Sequence, residues 1–174
     1  MTEQTPTSFR AVVESQMRDV YRLAFELTRN HQDAEDLSQE VFLKAWRSLD
    51  DFKEQSKIAT WLYRITVNTY LNARRKKTLR FRELREDMAA IFSGSIGDGT
   101  SRDVESTAIR KHVDRAVKQL SPRERTAFVL RCEHGLSIRE TAASMDIAEG
   151  TVKSLQFRAV QKLQDRLAFL DPNT

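Results

Sequence analysis

Cysteine, proline and glycine are scarce in this 174-residue chain, and so are long apolar runs. A single cysteine, Cys132, excludes an intrachain disulfide and favours a reducing compartment. No run of about 18 apolar residues exists, so we predict no transmembrane helix and no insertion into a membrane. The N-terminus has neither the basic region nor the apolar core of a signal peptide. We therefore predict a cytoplasmic protein.

The few glycines and prolines leave long uninterrupted segments between them. Those segments carry apolar residues at helical spacing, and none alternates as a strand would. The sequence therefore predicts an all-α fold. A Gly/Ser-rich stretch with an acidic balance lies in the middle of the chain, and it indicates a flexible linker. We predict two small helical domains, at residues 1–78 and 108–170, joined by a linker at residues 79–107.

Three helices are predicted in the first domain: one at residues 9–29, one from the break at residues 30–33 to about Leu49, and one from Ile58 to about Lys77. Asn30 is placed to cap the second helix. The expected buried faces of the first two helices comprise Val13, Met17, Val20, Ala24, Leu27, Leu37, Val41, Ala45 and Leu49, widened by Phe42 and Trp46.

The third predicted helix ends in four adjacent cations, Arg74, Arg75, Lys76 and Lys77. They can compensate the negative end of the helix dipole or contact nucleic-acid phosphates. Four cations exceed what capping needs, which favours phosphate contact. The same half is rich in aromatic residues; most are expected in the core, but rings beside cations also suit binding of single-stranded nucleic acid.

The chain is mildly basic, with a formal net charge of +4, and the excess is uneven. Residues 109–170 hold 12 Lys and Arg against 7 Asp and Glu. This balance is compatible with a nucleic-acid partner but does not establish one.

Residues 136–158 have the pattern of a helix, a tight turn and a second helix. Ser137 and Glu140 can form a capping box, and Asp146 marks the turn. One face of the second helix is apolar, with Val152, Leu155, Ala159 and Leu163. The other face carries Lys153, Ser154, Gln156, Phe157 and Arg158. This layout is typical of a DNA-binding helix-turn-helix, although an ordinary helical hairpin with a solvated face fits the same pattern.

Three stretches in this order resemble the sigma-70 family of bacterial transcription initiation factors, and specifically its extracytoplasmic-function (ECF) group. They are DAEDLSQEVF at residues 33–42, TWLYRI at residues 60–65 with Asn68, and LSPRER at residues 120–125 followed by GLS at 135–137 and GTVKS at 150–154. The resemblance covers nearly the whole chain apart from its tails and linker. It implies promoter-specific transcription initiation in a stress or envelope response.

The resemblance also implies roles for matching positions. Asp36, Gln39 and Glu40 would dock on core RNA polymerase, at the clamp helices of its β′ subunit, and the β subunit would be a further contact. The residues that would read, melt and hold the −10 element of promoter DNA are Phe52, Lys57, Trp61, Arg64, Asn68, Arg74, Arg75, Lys76 and Lys77. Lys153, Ser154, Gln156, Phe157 and Arg158 would face the −35 element. An anti-sigma factor is a further expected partner.

Three positions depart from the family pattern. Asp146 stands where the turn usually has glycine, and aspartate tolerates that backbone at some strain. Leu155 and Gln156 replace an arginine and an apolar residue. The apolar stripe survives, one cation is lost, and Gln156 becomes a candidate adenine reader.

No catalytic or metal-binding constellation stands out. His112, Cys132 and His134 are expected on different helix faces, and we predict no bound metal, no cofactor and no enzyme activity. Two alternatives remain open. One is a helix-turn-helix regulator that works without polymerase, and the other is a sigma-like adaptor that does not open DNA. A nucleic-acid enzyme is the least supported.

Overall fold

The computed structural model describes residues 9–49, 57–87 and 106–170 of the chain. All regular elements in these ranges are helices, which confirms the all-α prediction. The seven α-helices are α1 (Phe9–Thr28), α2 (His31–Arg47), α3 (Ile58–Asp87), α4 (Ser106–Lys118), α5 (Pro122–Phe128), α6 (Ile138–Met145) and α7 (Glu149–Leu167). A π-helical turn (Val129–Glu133) continues α5, and a 3₁₀ turn (Ala168–Leu170) follows α7.

Capping residues mark the ends of several of these helices. The Asn30 side chain accepts a hydrogen bond of 3.0 Å from the Asp33 backbone N–H at the start of α2. Ser121 and Ser137 each form a complete capping box, with the glutamates three residues later. Gly135 has a φ of +67°, a left-handed backbone conformation that residues with a side chain disfavour. The helical segment formed by α5 and the π-helical turn therefore ends just before this glycine.

The third helix is longer than predicted. It runs through Asp87 rather than ending near Lys77, so residues 79–87 of the predicted linker are helical. The four cations at residues 74–77 therefore lie inside a helix, and compensation of a C-terminal dipole does not account for them. The second helix ends at Arg47, two residues earlier than expected.

Helices α1, α2 and α3 pack together and form the N-terminal half of the structure. Leu23, Leu27, Val41 and Leu62 are fully buried in its core. Two predicted core residues are exposed: Met17 is 53% exposed and Trp46 is 61% exposed. Val13, Phe42 and Leu49 are half-buried. Each of α1 and α2 carries an apolar stripe that is wider than the contact between the two helices. Residues at the edges of the stripes, such as Met17 and Trp46, therefore stay at the surface.

Helices α4 to α7 form the C-terminal half, in which α6 and α7 are the predicted helix-turn-helix. All four residues of the predicted apolar stripe of α7 are buried. Lys162 on α7 contacts both carboxylate oxygens of Glu124 on α5 at 2.8 Å. Burial raises the pKa of Glu124, but hydrogen bonds from Lys162 and Ser121 outweigh it and leave that pKa lowered. This pair fixes α7 against α5.

The two halves pack against each other through a continuous apolar core. Leu130, Met145 and Leu155 of the C-terminal half belong to the same buried cluster as the core of α1 to α3. The most extensive contact between the halves joins α3 to α6. The sequence indicated two domains but gave no sign of this contact.

Asp146 ends α6 in the left-handed conformation, with φ 53° and ψ 52°, as the sequence predicted. We expect Asp146→Gly to raise the free energy of unfolding by about 0.5–1 kcal/mol, because glycine removes the backbone strain but adds freedom to the unfolded chain. Urea denaturation measures the change. Asp146→Ala retains the strain, so an equal gain in that variant would contradict this explanation.

Candidate nucleic-acid and partner interfaces

The solvent face of α7 presents four of its five predicted DNA-reading residues together. Lys153, Ser154, Phe157 and Arg158 are exposed and line one shallow depression. The Ser154 hydroxyl donates to the Gly150 carbonyl at 3.0 Å, and Arg158 Nε donates to the Ser154 carbonyl at 3.3 Å. Phe157 is 66% exposed, which is unusual for a phenylalanine and leaves its ring available for apolar contact.

Gln156, the fifth predicted residue, is only partly exposed. Its side-chain oxygen accepts a hydrogen bond of 3.2 Å from Arg131 Nε. Arg131 also donates to the Leu136 carbonyl, so it ties Gln156 to the segment before α6. This hydrogen bond restricts the orientation of the Gln156 side chain, and the reading role stays a prediction.

The residues predicted to read the −10 element lie along α3. Lys57 and Arg64 are exposed, Asn68 is half-buried, and Trp61 is half-buried against the core. Phe52 lies outside the described residues. Lys57 lies close to the C-terminal half: hydrogen bonding from Ser137 lowers the pKa of Glu140, and the charge of Lys57 lowers it further.

The four predicted phosphate-binding cations are not equivalent. Arg75, Lys76 and Lys77 are exposed, as a phosphate contact requires. Arg74 is half-buried, and its guanidinium lies over the Tyr70 ring at 5.8 Å from the centroid. A cation held on an aromatic face is a structural contact as well as a charge.

Asp36, Gln39 and Glu40, the predicted polymerase-docking residues, are all exposed on α2. Asp36 and Glu40 line a cleft of about 220 Å³ between α2 and α3. Arg74 and Lys77 line the same cleft, so the predicted docking acids face two of the predicted phosphate-binding cations. Glu40 also pairs with Lys44 at 2.7 Å.

Gln39 lies on the other side of α2, at an apolar groove between α1 and α2 that sequence analysis missed. Met17, Leu43 and Trp46 line this groove and are each more than half exposed. The Trp46 ring meets the Phe9 ring edge to face, with centroids 4.9 Å apart. The helical spacing of Met17 and Trp46 predicts core positions for both, and this prediction is wrong. The available signal was that both helices carry more apolar residues than one buried stripe needs.

The predicted metal candidates do not form a cluster. In residues 9–49, 57–87 and 106–170, no group of three or more potential ligand residues is placed to hold a metal. His112 stacks edge to face on Phe169, Cys132 is exposed, and His134 contacts Glu26 and Tyr63.

None of the helices within the described ranges is long and apolar enough to span a bilayer.

Comparison with known families matches both halves of the chain. Sigma-70 region 2 matches residues 12–80, and Sigma-70 region 4 matches residues 110–163. The ECF RNA polymerase sigma-E factor of Haemophilus influenzae is 35% identical over 84% of this chain and 82% of its own length. The chain belongs to the ECF group of the sigma-70 family. Sigma factors of this family bind core RNA polymerase and direct it to promoters.

Two further relatives agree with this assignment. The ECF RNA polymerase sigma factor SigE of Mycolicibacterium smegmatis is 33% identical over 92% of this chain, which spans 62% of that protein. The sigma factor RpoE of Bartonella quintana, solved in complex with the anti-sigma factor NepR, superimposes with a TM-score of 0.70 at 30% identity. That superposition covers 93% of this sigma factor and 98% of RpoE. A regulator that works without polymerase would not need the region 2 half.

Proposed function

We propose that this sigma factor docks on core RNA polymerase through the α1–α2 surface and reads a promoter with α3 and α7. In this proposal the region 2 unit is residues 1–78, the region 4 unit is residues 108–170, and residues 79–107 connect them. The observation that carries the docking assignment is the exposed apolar groove beside the polar motif on α2. An apolar centre flanked by charged groups is the usual anatomy of a protein interface.

The acids and the groove serve the same contact in different ways. Exposed Asp36 and Glu40 would steer a positively charged partner surface and set its orientation. The rings and aliphatic chains that line the groove would be buried on docking, and their burial would supply most of the affinity for polymerase. Gln39 lies at the boundary between the two and would contribute to both.

Promoter reading is assigned to the exposed polar faces of α3 and α7. Arg64 and Asn68 would contact the −10 element, with the exposed cations at residues 75–77 along its backbone. The four exposed residues of the α7 depression would enter the major groove at the −35 element. Strand opening would be driven by binding energy within the holoenzyme, so no catalytic group of this chain is required. Its place of action would be the cytoplasm, where polymerase and promoter DNA meet.

Regulation by an anti-sigma factor is part of the proposal, because RpoE of Bartonella quintana was solved with one. Such a partner would cover the docking and DNA surfaces. Co-expressed candidate proteins should then lower transcription driven by this chain in a purified system. Full activity in the presence of every candidate would exclude this part.

The docking assignment predicts a large effect for Trp46→Ala. Truncating a central aromatic anchor should weaken binding to purified core polymerase by about 30-fold, which corresponds to roughly 2 kcal/mol. Because Trp46 is 61% exposed, the free energy of unfolding should change little. Binding is measured by competition for fluorescently labelled polymerase, and transcription by run-off from a genomic promoter library.

Arg47→Ala is the matched control, since Arg47 is the exposed next residue and lies outside the groove. Equal polymerase binding by both variants would refute the assignment of the groove. If the unaltered chain binds polymerase but starts no transcripts, the sigma-like adaptor becomes the better description.

A further inference from the structure

Gln156 lies on the flank of the reading helix α7 rather than on its exposed face. Successive residues of an α-helix are about 100° apart around its axis, so Gln156 is turned by that angle from the exposed Phe157. It comes four residues after Val152 and three before Ala159, both fully buried, and residues at these spacings are neighbours on the helix surface. Gln156 itself is half-buried. Its side chain therefore starts beside the core of the C-terminal half.

The Gln156 amide is held by two residues of the π-helical turn, Arg131 and Cys132. Its oxygen accepts a hydrogen bond of 3.2 Å from Arg131 Nε. Its nitrogen is the group that can donate to the Cys132 sulfur. Partial burial raises the pKa of the Cys132 thiol, while the charge of Arg131 and a hydrogen bond with Gln156 oppose that rise. We call these three residues the glutamine bracket.

Arg131 also ties the bracket to the start of α6. It donates to the Leu136 carbonyl, which immediately precedes Ser137, the residue that caps α6. One guanidinium therefore contacts both helices of the helix-turn-helix, α7 through Gln156 and α6 through the segment that enters it. The donors of a guanidinium are fixed in a plane, so they set the relative direction of two acceptors more strictly than a flexible ammonium does.

The start of the reading helix has no side-chain cap of its own. Ala148 occupies the N-cap position of α7 and makes no side-chain hydrogen bond, whereas Asn30, Ser121 and Ser137 cap α2, α5 and α6. A binding constellation works only when its side chains are held within about 0.5 Å and 10–20° of the productive geometry. The bracket contacts α7 about two turns after its start and can supply the orientation that a cap would otherwise give.

The backbone that carries Arg131 and Cys132 is irregular. The His134 N–H bonds to the Val129 carbonyl at 3.0 Å, five residues back, which is the pattern of a π-turn. Single π-turns are rare and often occur at functional sites. This one carries both residues that hold Gln156, at the position where the family pattern has an apolar residue. The irregular backbone and the departure from the family pattern therefore meet in one contact.

We propose that Arg131 and Gln156 are positioning residues for −35 recognition, and that Gln156 reads no base itself. The bracket sets the rotation of α7 about its axis, and with it the direction in which the four residues of the α7 depression face DNA. Arg131 has an internal role here and makes no phosphate contact. This inference rests on the proposed function, since it concerns the same reading surface.

The first measurement is a double-mutant cycle on promoter affinity. The holoenzyme is titrated with a promoter that it transcribes in the run-off assay. Gln156→Met should weaken binding by about fivefold, the value of one net hydrogen bond, and Arg131→Met by about tenfold, because it also gives up the Leu136 contact. The double variant should lose about tenfold, since both changes break the same contact, whereas independent residues would lose about 50-fold. Losses that multiply would overturn the proposal.

Gln164→Met is the matched control, because Gln164 is exposed on the same helix and its amide contacts only Gln161 within α7. It should leave promoter affinity unchanged. A loss equal to that of Gln156→Met would show that any glutamine of α7 has the same effect, and would contradict a positioning role for the bracket.

A panel of promoters with each −35 base pair replaced in turn separates positioning from reading. Gln156→Glu keeps an oxygen acceptor for Arg131 and should keep the base preferences of the parent. A base reader at this position would change its preference from adenine to cytosine, and Gln156→Met would lose about tenfold in discrimination at that one position. Either result would overturn the proposal.

The salt dependence of promoter binding tests the internal role of Arg131. Arg131→Met should leave the slope unchanged, because the guanidinium is engaged by Gln156 and Leu136. A slope lowered by about one ion would make Arg131 a phosphate contact and would contradict the proposal.

The last measurement needs neither DNA nor polymerase. Residual dipolar couplings of the isolated chain report the direction and rotation of α7 relative to α5. Both methionine variants should change the couplings of α7 and leave those within α1 as in the parent, and unchanged couplings of α7 would overturn the proposal. Near-ultraviolet circular dichroism establishes that the variants remain folded. If the parent holoenzyme starts no transcripts, the proposed function fails, and the couplings still decide whether the bracket orients α7.

Discussion

Replacing Arg125 with methionine is expected to lower the free energy of unfolding by about 3–5 kcal/mol, because several oxygen acceptors in the interior lose their donor. Arg125 is 2% exposed and is the largest fully buried side chain in the described part of the structure. Methionine has a similar length and fills most of the volume. The expected loss therefore comes from hydrogen bonds rather than from a cavity.

The guanidinium of Arg125 has four oxygen partners. Two are the carbonyls of Val117 and Lys118 at the end of α4, and two belong to the N-terminal half, the Leu27 carbonyl at 2.9 Å and the Tyr70 hydroxyl at 3.2 Å. Each acceptor left without a donor in the interior costs about 1–3 kcal/mol. Burial also lowers the pKa of Arg125, which reflects the low polarity around it.

Urea denaturation compares Arg125→Met with Arg123→Met, an exposed arginine two residues earlier on the same helix. The control should change the unfolding free energy by less than about 0.5 kcal/mol. Arg125→Lys is expected to recover only part of the lost stability. The single ammonium group of lysine cannot reach all the acceptors that the planar guanidinium group of arginine contacts on α4 and in the N-terminal half. Equal stability of the two methionine variants would show that this network contributes nothing.

Local sequence patterns were sufficient for most of the helices and their ends. Asn30 and Ser137 begin helices where predicted, because caps depend on neighbours within three residues. The stripe on α7 is buried as expected, since four apolar residues at helical spacing have only one way to avoid water. The family motifs then supplied the functional class, which composition and charge left open.

Sequence periodicity does not show what covers an apolar face. Met17 and Trp46 have the same spacing as core residues, yet they lie at the edge of the α1–α2 contact and remain exposed. The end of α3 was misplaced for a related reason. A cationic run resembles a C-terminal cap, but the helix continues because no glycine or proline follows it before Gly94.

Contacts between the halves were beyond prediction for a different reason. Arg125 reads locally as part of a helix start, and Arg29 as an ordinary surface arginine beside a turn. Their partners are as far as 98 and 104 residues away, and no local pattern encodes such a pairing. The π-helical turn could not be predicted either, because its sequence VLRCE is compatible with an ordinary α-helix.

The second large effect is expected at α7. The double variant Lys153→Ala, Arg158→Ala should reduce transcription from a cognate promoter by about 100-fold. Each lost contact to a base or phosphate is worth about 1–3 kcal/mol, and two moderate losses near 1.4 kcal/mol each multiply to this factor. Both side chains are exposed, so the folded state should be retained.

Gln164→Ala is the control for this pair, because Gln164 is exposed on the same helix and lies outside the reading depression. Run-off transcription measures the overall loss, and binding to −35 duplexes at several salt concentrations separates its origins. Removing a residue that contacts phosphate lowers the salt dependence of binding by about one ion, whereas removing a residue that reads a base changes the sequence preference at one position. Phe157 lies between the two cations on the exposed face of α7. If Arg158 reads a base, the Phe157 ring also comes close to the bases, where the methyl group of thymine offers an apolar contact. Unchanged transcription in the double variant would mean that α7 does not read the promoter, and that the −35 assignment belongs to another surface of the C-terminal half.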